Sequence, residues 1–157
     1  MLAAVDYFVI RVRGDGCHGG QPHKGIDPIL ASAHILTVLQ TIVARNVSPT
    51  DTAVISVGQI HAGTHDIVIP DVVEIRGSVR TLTRETHDLV EHHFKRAVEN
   101  TAQAQGAIAE IDYRRAYPPT INTVDEAAIA GSIAAKIVGS DNILRNCLLY
   151  TSPSPRD

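Results

Sequence analysis

The 157-residue sequence contains no tryptophan, and aromatic residues make up only 4% of it. It also lacks an excess of positive charge, because 14 lysines and arginines stand against 17 aspartates and glutamates and the formal net charge is -3. A nucleic-acid-binding protein needs a basic surface for the phosphates and often aromatic side chains on which bases stack. The composition therefore predicts no nucleic-acid partner.

Cysteines and long apolar runs are also scarce. The two cysteines, Cys17 and Cys147, provide no disulfide framework, which favours a reducing, cytoplasmic location. No apolar run approaches the roughly 18 residues of a membrane span. Asp6 interrupts the apolar N-terminus before the core of a signal peptide can form. We therefore expect a cytoplasmic protein without a membrane partner.

What the sequence does contain is the composition of a folded domain, with 44% apolar and 20% charged residues. Apolar periodicity predicts strands and helices in the order β-α-β-β-α-β. They lie at about residues 7–13, 28–45, 53–60, 73–80, 84–105 and 107–113. Two interleaved right-handed βαβ units of this order predict an α+β, ferredoxin-like fold, in which a four-stranded antiparallel sheet carries both helices on one face. A further C-terminal helix, at about 125–137, has no strand of this chain left to cover.

The two main helices carry different sequence signals. Asp27 and Thr83 are suitable N-caps, Pro28 suits a first helical position, and Gly106 can end the second helix. The first helix is apolar around so much of its circumference that we expect it to be covered on more than one side. The apolar stripe predicted for the second helix is Leu89, Val90, Phe94, Ala97, Val98 and Ala102.

Histidines in the second helix raise the question of a metal site. His87, Glu91 and His92 lie in the segment HDLVEHH, which is one residue too long for an inverted zinc motif. His87 and Glu91 share a helix face, whereas His92 points elsewhere. We therefore predict a solvated polar face there.

The segment GDGCHGGQPHKGIDP, residues 14–28, permits three interpretations. A phosphate cradle is poorly supported, because the helix begins about ten residues after the glycines. A metal site using His18 and His23, with Cys17 or Asp15, fits no standard spacing. In the third interpretation, glycines let the loop turn freely and deliver His18 as a hydrogen-bond donor to a developing oxyanion. The residues alone do not distinguish this role from one in which His18 merely caps loop carbonyls.

A family resemblance bears on that choice. The segments FVIRVRGDGCHGGQPHKGIDPI, GQIHAGTHDIVIPDVVEIRGSVRTL and YPPTIN resemble, in the same order, the lid or dimerisation domain of M20 metallopeptidases. They are most similar to the amidohydrolase branch, which includes hippurate hydrolase and N-acyl-amino-acid amidohydrolases. The resemblance covers about residues 1–140. It implies a ferredoxin-like lid, in agreement with the periodicity.

The resemblance also implies roles for individual residues. His18 matches a catalytic histidine that reaches the active site of the partner subunit, and Arg80 matches an arginine that contacts the substrate carboxylate. Ile67 stands where the family usually has an asparagine that touches substrate, and Cys17 stands where glycine is usual. The implied domains are a lid at 5–117, a return towards the catalytic domain at 118–146, and a non-native tail at 147–157.

The activity implied by the resemblance is hydrolysis of an N-acyl amino acid by a homodimer. In the family, a divalent metal pair (zinc, manganese or nickel) supplies the water, and a carboxylate acts as general base. This sequence shows none of the family's metal-ligand motifs. We therefore expect a fragment that is inactive alone and binds no metal. The alternative is a stand-alone ferredoxin-like binding or interaction module without catalysis.

Overall fold

The computed structural model describes residues 2–143. The predicted C-terminal tail at 147–157 lies outside these residues. The described part contains six strands and three α-helices. The strands are β1 (Ala4–Arg13), β2 (Cys17–His18), β3 (Ala53–Ala62), β4 (Val68–Ile69), β5 (Val72–Thr81) and β6 (Ile108–Tyr117). The helices are α1 (Pro28–Asn46), α2 (Arg84–Ala104) and α3 (Val124–Val138).

The four long strands form one antiparallel sheet in the order β3-β5-β1-β6. Helices α1 and α2 pack against each other and against one face of that sheet. This arrangement confirms the predicted α+β, ferredoxin-like fold. The short strands β2 and β4 form a separate two-stranded ladder, which the sequence pattern did not predict.

Alternation along β1 decides which residues enter the core. Phe8, Ile10 and Val12 are buried, whereas Arg11 and Arg13 are exposed on the other face. The same alternation in β5 buries Ile75 and leaves its charged residues on the open face. The core includes an aromatic cluster in which Phe94 of α2 lies between two rings of the sheet. Its ring centroid is 4.7 Å from that of Phe8 and 5.4 Å from that of Tyr113.

Both predicted N-caps are confirmed. The Asp27 carboxylate accepts hydrogen bonds from the backbone of Ile29 and Leu30, at 2.8 and 3.2 Å. The Thr83 hydroxyl accepts one from the backbone of Thr86 at 3.2 Å. Gly106, with φ +75°, follows the last residues of α2 in the left-handed region that favours glycine. These local signals therefore set the helix ends.

Two predictions about α2 are wrong. His87 does not lie on a solvated polar face; it is only 4% exposed and faces the sheet. Leu89 was assigned to the apolar stripe but is exposed, because the side of α2 that meets the sheet is centred on Val90, Phe94 and Val98. The buried face of α2 therefore includes His87 and excludes Leu89.

The surface of α1 is apolar beyond its contact with the sheet. By length and composition alone this helix could cross a membrane, although polar residues interrupt it and it contains no continuous apolar run of that length. A single such helix is weak support for a span, since core helices meet the same criterion. Ile35, Leu39 and Ile42 are buried against the sheet, while Ile29 and Leu30 remain about half exposed.

Helix α3 has no core of its own within the described chain. None of its residues is buried, and Ile129, Ile133 and Ile137 are exposed. This agrees with the expectation that it has no strand to cover here. The segment before β1 and the segment after β6 lie side by side, because Leu2 and Thr120 exchange backbone hydrogen bonds of 3.2 and 2.9 Å.

Candidate functional site

The β2–β4 ladder holds the glycine-rich loop at one end of the main sheet. Cys17 lies opposite Ile69 and His18 lies opposite Val68. The backbone of Gly19 donates to the Ile67 carbonyl at 2.8 Å, which extends the contact by one residue. The loop therefore projects His18 beside the segment between β3 and β5.

Asp71 ties the start of this loop to β5. Its carbonyl accepts a hydrogen bond from Gly14, and its carboxylate accepts one from the backbone of Gly16, both at 2.9 Å. Asp15 and Ile26 exchange two backbone bonds of 2.9 Å at the base of the loop. The loop is consequently fixed at both its base and its tip.

The glycines of the loop serve a different purpose from the one we expected. Within residues 2–143, positive φ values occur at Gly63, Gly106 and Gly139, none of which belongs to this loop. A Cβ at Gly16 would lie 2.7 Å from the Asp71 carboxylate, and one at Gly25 would collide with the Asp15 carbonyl. These glycines permit close approach between backbone segments and do not supply unusual turns.

The His18 side chain is exposed at the tip of the loop. Its Nδ1 accepts a hydrogen bond from the backbone of Gly20 at 2.9 Å. No side-chain hydrogen bond of residues 2–143 involves Nε2 or takes the ring to a loop carbonyl. The structure therefore leaves Nε2 of His18 free to meet a ligand.

Ile67 and His23 lie in the same region as His18. Ile67 is 59% exposed and its carbonyl accepts a hydrogen bond from Gly19, so position 67, where the resemblance implies an asparagine, is adjacent to the histidine loop. His23 lies in a short 3-10 turn, Pro22–Lys24, on the way to α1. His18 and position 67 are thus brought together although they lie 49 positions apart in the sequence.

Arg80 lies at the opposite end of the sheet. Arg80 is eight residues along β5 from Val72, which follows the loop-binding residue Asp71. At roughly 3.3 Å per residue, this is a distance of about 26 Å. The register partners of Arg80 are Val5 and Val54. None of the side-chain hydrogen bonds or ion pairs within the described range involves Arg80, whereas Arg11 and Arg76 both bind Glu74. One chain therefore cannot bring His18 and Arg80 to a common small molecule.

The residues present do not fit a metal pair. Within residues 2–143, no group of three or more histidine, cysteine, aspartate or glutamate side chains is arranged to hold a metal ion. Cys17 is a free thiol of intermediate exposure in the loop.

A buried polar cluster near the other end of the sheet escaped the sequence analysis. Asp6 Oδ2 lies 2.5 Å from His87 Nε2 and accepts a 2.6 Å hydrogen bond from the Tyr113 hydroxyl. Burial raises the pKa of Tyr113 well above its ordinary value, and the hydrogen bond to Asp6 raises it further, so the phenol remains a donor. Asp6 lies on the same face of β1 as the buried Phe8 and Ile10, so the alternation along the strand could have predicted its burial.

The fold and site define an α+β domain of ferredoxin-like topology that carries an exposed histidine on an anchored glycine-rich loop. A sequence model of the peptidase dimerisation domain of the M20 family matches residues 5–106. The chain therefore belongs to the M20 peptidase family through its dimerisation domain.

Individual relatives agree with this assignment. The chain is 37% identical over 142 residues to a hippurate hydrolase of Campylobacter jejuni, with 90% of this chain and 37% of that protein covered. It is 43% identical over 122 residues to an N-acyl-L-amino acid amidohydrolase of Geobacillus stearothermophilus, with 78% and 33% covered. A Bacillus subtilis protein, described as a dinuclear metal binding peptidase of the M20 family, superposes with a TM-score of 0.64 at 31% identity, covering 99% of this chain and 36% of that one.

This chain matches only part of the length of each relative. It spans about a third of the length of the curated relatives it matches.

Proposed function

We propose that this chain is the lid and dimerisation part of an enzyme that hydrolyses N-acyl amino acids, and that His18 acts at the active site of the partner subunit. The observation that carries the proposal is the exposed His18 ring on an anchored loop, with Nδ1 bound by Gly20 and Nε2 without a partner within residues 2–143. The activities named for the similar proteins, hippurate hydrolase and N-acyl-L-amino acid amidohydrolase, support the substrate class.

The position of the loop supports action in trans. The chain enters β1 and leaves β6 at the Leu2–Thr120 end, whereas the loop follows the other end of β1, at Arg13. Nine residue steps along β1 separate the two ends by about 30 Å. A catalytic domain joined at the Leu2–Thr120 end would lie far from its own His18. The histidine of a second subunit could approach that domain from the opposite direction.

The chemistry assigned to His18 is electrostatic. Hydrolysis adds water to the amide carbonyl carbon, breaks the C–N bond, and leaves a proton on the departing amine. As the carbonyl oxygen gains negative charge, an N–H donor stabilises it more strongly than it stabilises the substrate. The described residues do not form a metal site, so a divalent metal pair (zinc, manganese or nickel) would be held by other parts of the enzyme. Such a pair activates water when it is bound.

The test is an assay of a full-length enzyme that contains this chain. We expect it to release the free amino acid from N-benzoylglycine or N-acetyl amino acids, and to lose this activity after treatment with a chelator. A folded, metal-supplied protein that binds such compounds without cleaving any of them would refute the proposed activity. That result would favour the binding-module alternative.

We further propose that the homodimer forms along the edge made by β3 and α1. Over its length, Ala53–Ala62, the edge strand β3 contains no Asp, Glu, Lys or Arg. The other edge strand, β6, carries Glu110, Asp112, Arg114 and Arg115. Charged side chains protect an edge from pairing, whereas an uncharged edge offers free backbone groups to a second copy.

Val54→Lys is expected to weaken the dimer by placing a charge on the uncharged edge, where Val54 is 39% exposed. Ile108→Lys, an equivalent change on the β6 edge at a 67% exposed site, is the matched control. Sedimentation of the chain over a range of concentrations measures both. A dimer weakened by the control and not by Val54→Lys would assign the interface to β6.

Two substitutions in α1, Leu36→Lys and Val38→Lys, are poorer tests of the dimer interface. Leu36 packs partly buried against the core, and Val38 lines a groove between α1 and α2. A lysine at either position would perturb folding as well as association.

Arg80 is proposed to bind the carboxylate of the substrate within its own subunit. In the full-length enzyme, Arg80→Met should raise KM roughly ten- to a hundred-fold, the effect of losing one hydrogen bond to a charged group. The control is Arg76→Met, on the same strand and face but already bound to Glu74. Equal effects of the two variants on KM would remove Arg80 from the substrate site.

A further inference from the structure

We infer that the backbone N–H of Gly20 selects the Nε2-protonated tautomer of the neutral His18 ring, which makes Gly20 a positioning residue for the histidine. The catalytic meaning of this inference rests on the proposed function. The tautomer itself is a property of the loop and can be measured without any reaction.

The inference begins with the direction of one hydrogen bond. Gly20 N lies 2.9 Å from His18 Nδ1, and a backbone amide can only donate. The accepting ring nitrogen must therefore present its lone pair, which leaves Nε2 as the protonated nitrogen of the neutral ring. The bond would be lost if the proton were on Nδ1, because two N–H groups would then face each other.

The surrounding backbone holds the ring and the amide in this relation. The His18 carbonyl accepts a hydrogen bond from Gln21 at 2.7 Å, which closes a tight turn over residues 18–21. On the other side, Gly19 donates to Ile67 at 2.8 Å, so the turn is fastened to the segment before β4. The Gly20 amide thus belongs to a turn with contacts on both sides.

The absence of a side chain at residue 20 is part of the arrangement. A Cβ there would lie 3.1 Å from Nδ1 and 3.2 Å from Cε1 of His18, closer than most Cβ contacts in proteins. Glycine therefore lets the amide approach the ring without displacing it.

The assigned tautomer separates two roles that a histidine can play. With the proton on Nε2, the exposed nitrogen is a hydrogen-bond donor and cannot accept a proton there. The loop therefore presents His18 as a stabiliser of negative charge and not as a general base at that atom. No proton has to move for this interaction to form.

The direct test is ¹⁵N NMR of the 157-residue chain at a pH above the usual titration range of histidine. We expect the His18 ring to show an unprotonated Nδ1 and a protonated Nε2. We also expect a scalar coupling across the hydrogen bond between the Gly20 amide nitrogen and Nδ1. A protonated Nδ1, or the absence of that coupling, would overturn the inference.

Two substitutions provide a second test. Gly20→Pro removes the amide proton, so the coupling should vanish and the Nδ1-protonated form should become detectable. Gly20→Ala keeps the amide and should retain the coupling, with a shifted His18 signal from the added Cβ. The His23 ring, five residues away in its own turn, should be unchanged in both variants and reports that the loop remains folded. If Gly20→Pro leaves the His18 tautomer as in the parent chain, the amide does not set it.

These results are distinguishable from a failure of the proposed function. An Nδ1-protonated ring would remove the role of Gly20 while leaving the trans histidine to be judged by enzyme kinetics. An Nε2-protonated ring with the coupling present supports the inference even if the kinetics reject catalysis by His18.

Discussion

His18→Ala in the full-length enzyme is expected to lower kcat by roughly a hundred- to a thousand-fold, the usual effect of removing one oxyanion donor. KM should change much less, because the interaction strengthens only as charge develops on the carbonyl oxygen. The measurement is steady-state hydrolysis of an N-acyl amino acid. An unchanged kcat would reduce His18 to a structural residue of the loop.

His23→Ala is the matched control for that substitution. His23 is a second exposed histidine in the same glycine-rich segment, and it lies in the turn Pro22–Lys24 beyond the β2–β4 ladder. Its loss should have little effect on kcat. A comparable decrease in both variants would indicate a general disturbance of the loop.

Mixed dimers test whether His18 acts across the interface. His18→Ala subunits are combined with subunits whose catalytic-domain general base has been removed. If the histidine acts in trans, one site of each mixed dimer has both lesions and the other has none, so activity returns. If it acts in cis, both sites remain defective. Inactive mixed dimers, shown to have formed, would therefore contradict the trans role.

The second large effect is expected at the buried Asp6 carboxylate. Asp6→Ala should destabilise the chain by about 3–5 kcal/mol, because removing one member of a buried, hydrogen-bonded pair leaves the other without compensation. Both His87 and Tyr113 lose their acceptor in this variant. Domains of this size have total stabilities of about 5–15 kcal/mol, so the loss would be a large fraction. Urea unfolding at a fixed protein concentration measures it.

Glu110→Ala serves as the control for this prediction. Glu110 is an exposed carboxylate that binds Arg13 on the open face of the sheet. Exposed ion pairs contribute little to stability, so its removal should change the urea midpoint only slightly. If Asp6→Ala had no larger effect than Glu110→Ala, the buried cluster would not stabilise the fold. The Asp6→Ala, His87→Ala double variant should cost less than the sum of the single variants, since they share one interaction.

The parts of the fold that could be predicted are those with local causes. Asp27 and Thr83 cap their helices through atoms only two or three residues away, and β1 alternates because successive side chains point to opposite faces. The helix periodicity indicated an apolar side of α2. It could not show that a histidine on the edge of that side would meet a carboxylate 81 residues earlier.

The site was harder to predict because it depends on contacts between distant segments. The β2–β4 ladder has two residues in each strand, too few to leave a periodic signal, yet it brings His18 beside Ile67. His18 and Arg80 lie at opposite ends of the sheet because β5 runs away from Asp71, the residue that holds the start of the histidine loop. The family resemblance named both residues without indicating the length of sheet between them.

The paired backbone bonds between Leu2 and Thr120 have a consequence for evolution. The polypeptide between these two residues begins and ends at neighbouring points, a geometry that suits insertion into a surface loop. Such a unit can be gained, lost or transplanted between host enzymes without separating the two ends of the host chain. The Leu2–Thr120 bonds therefore give the domain the geometry of a transferable unit.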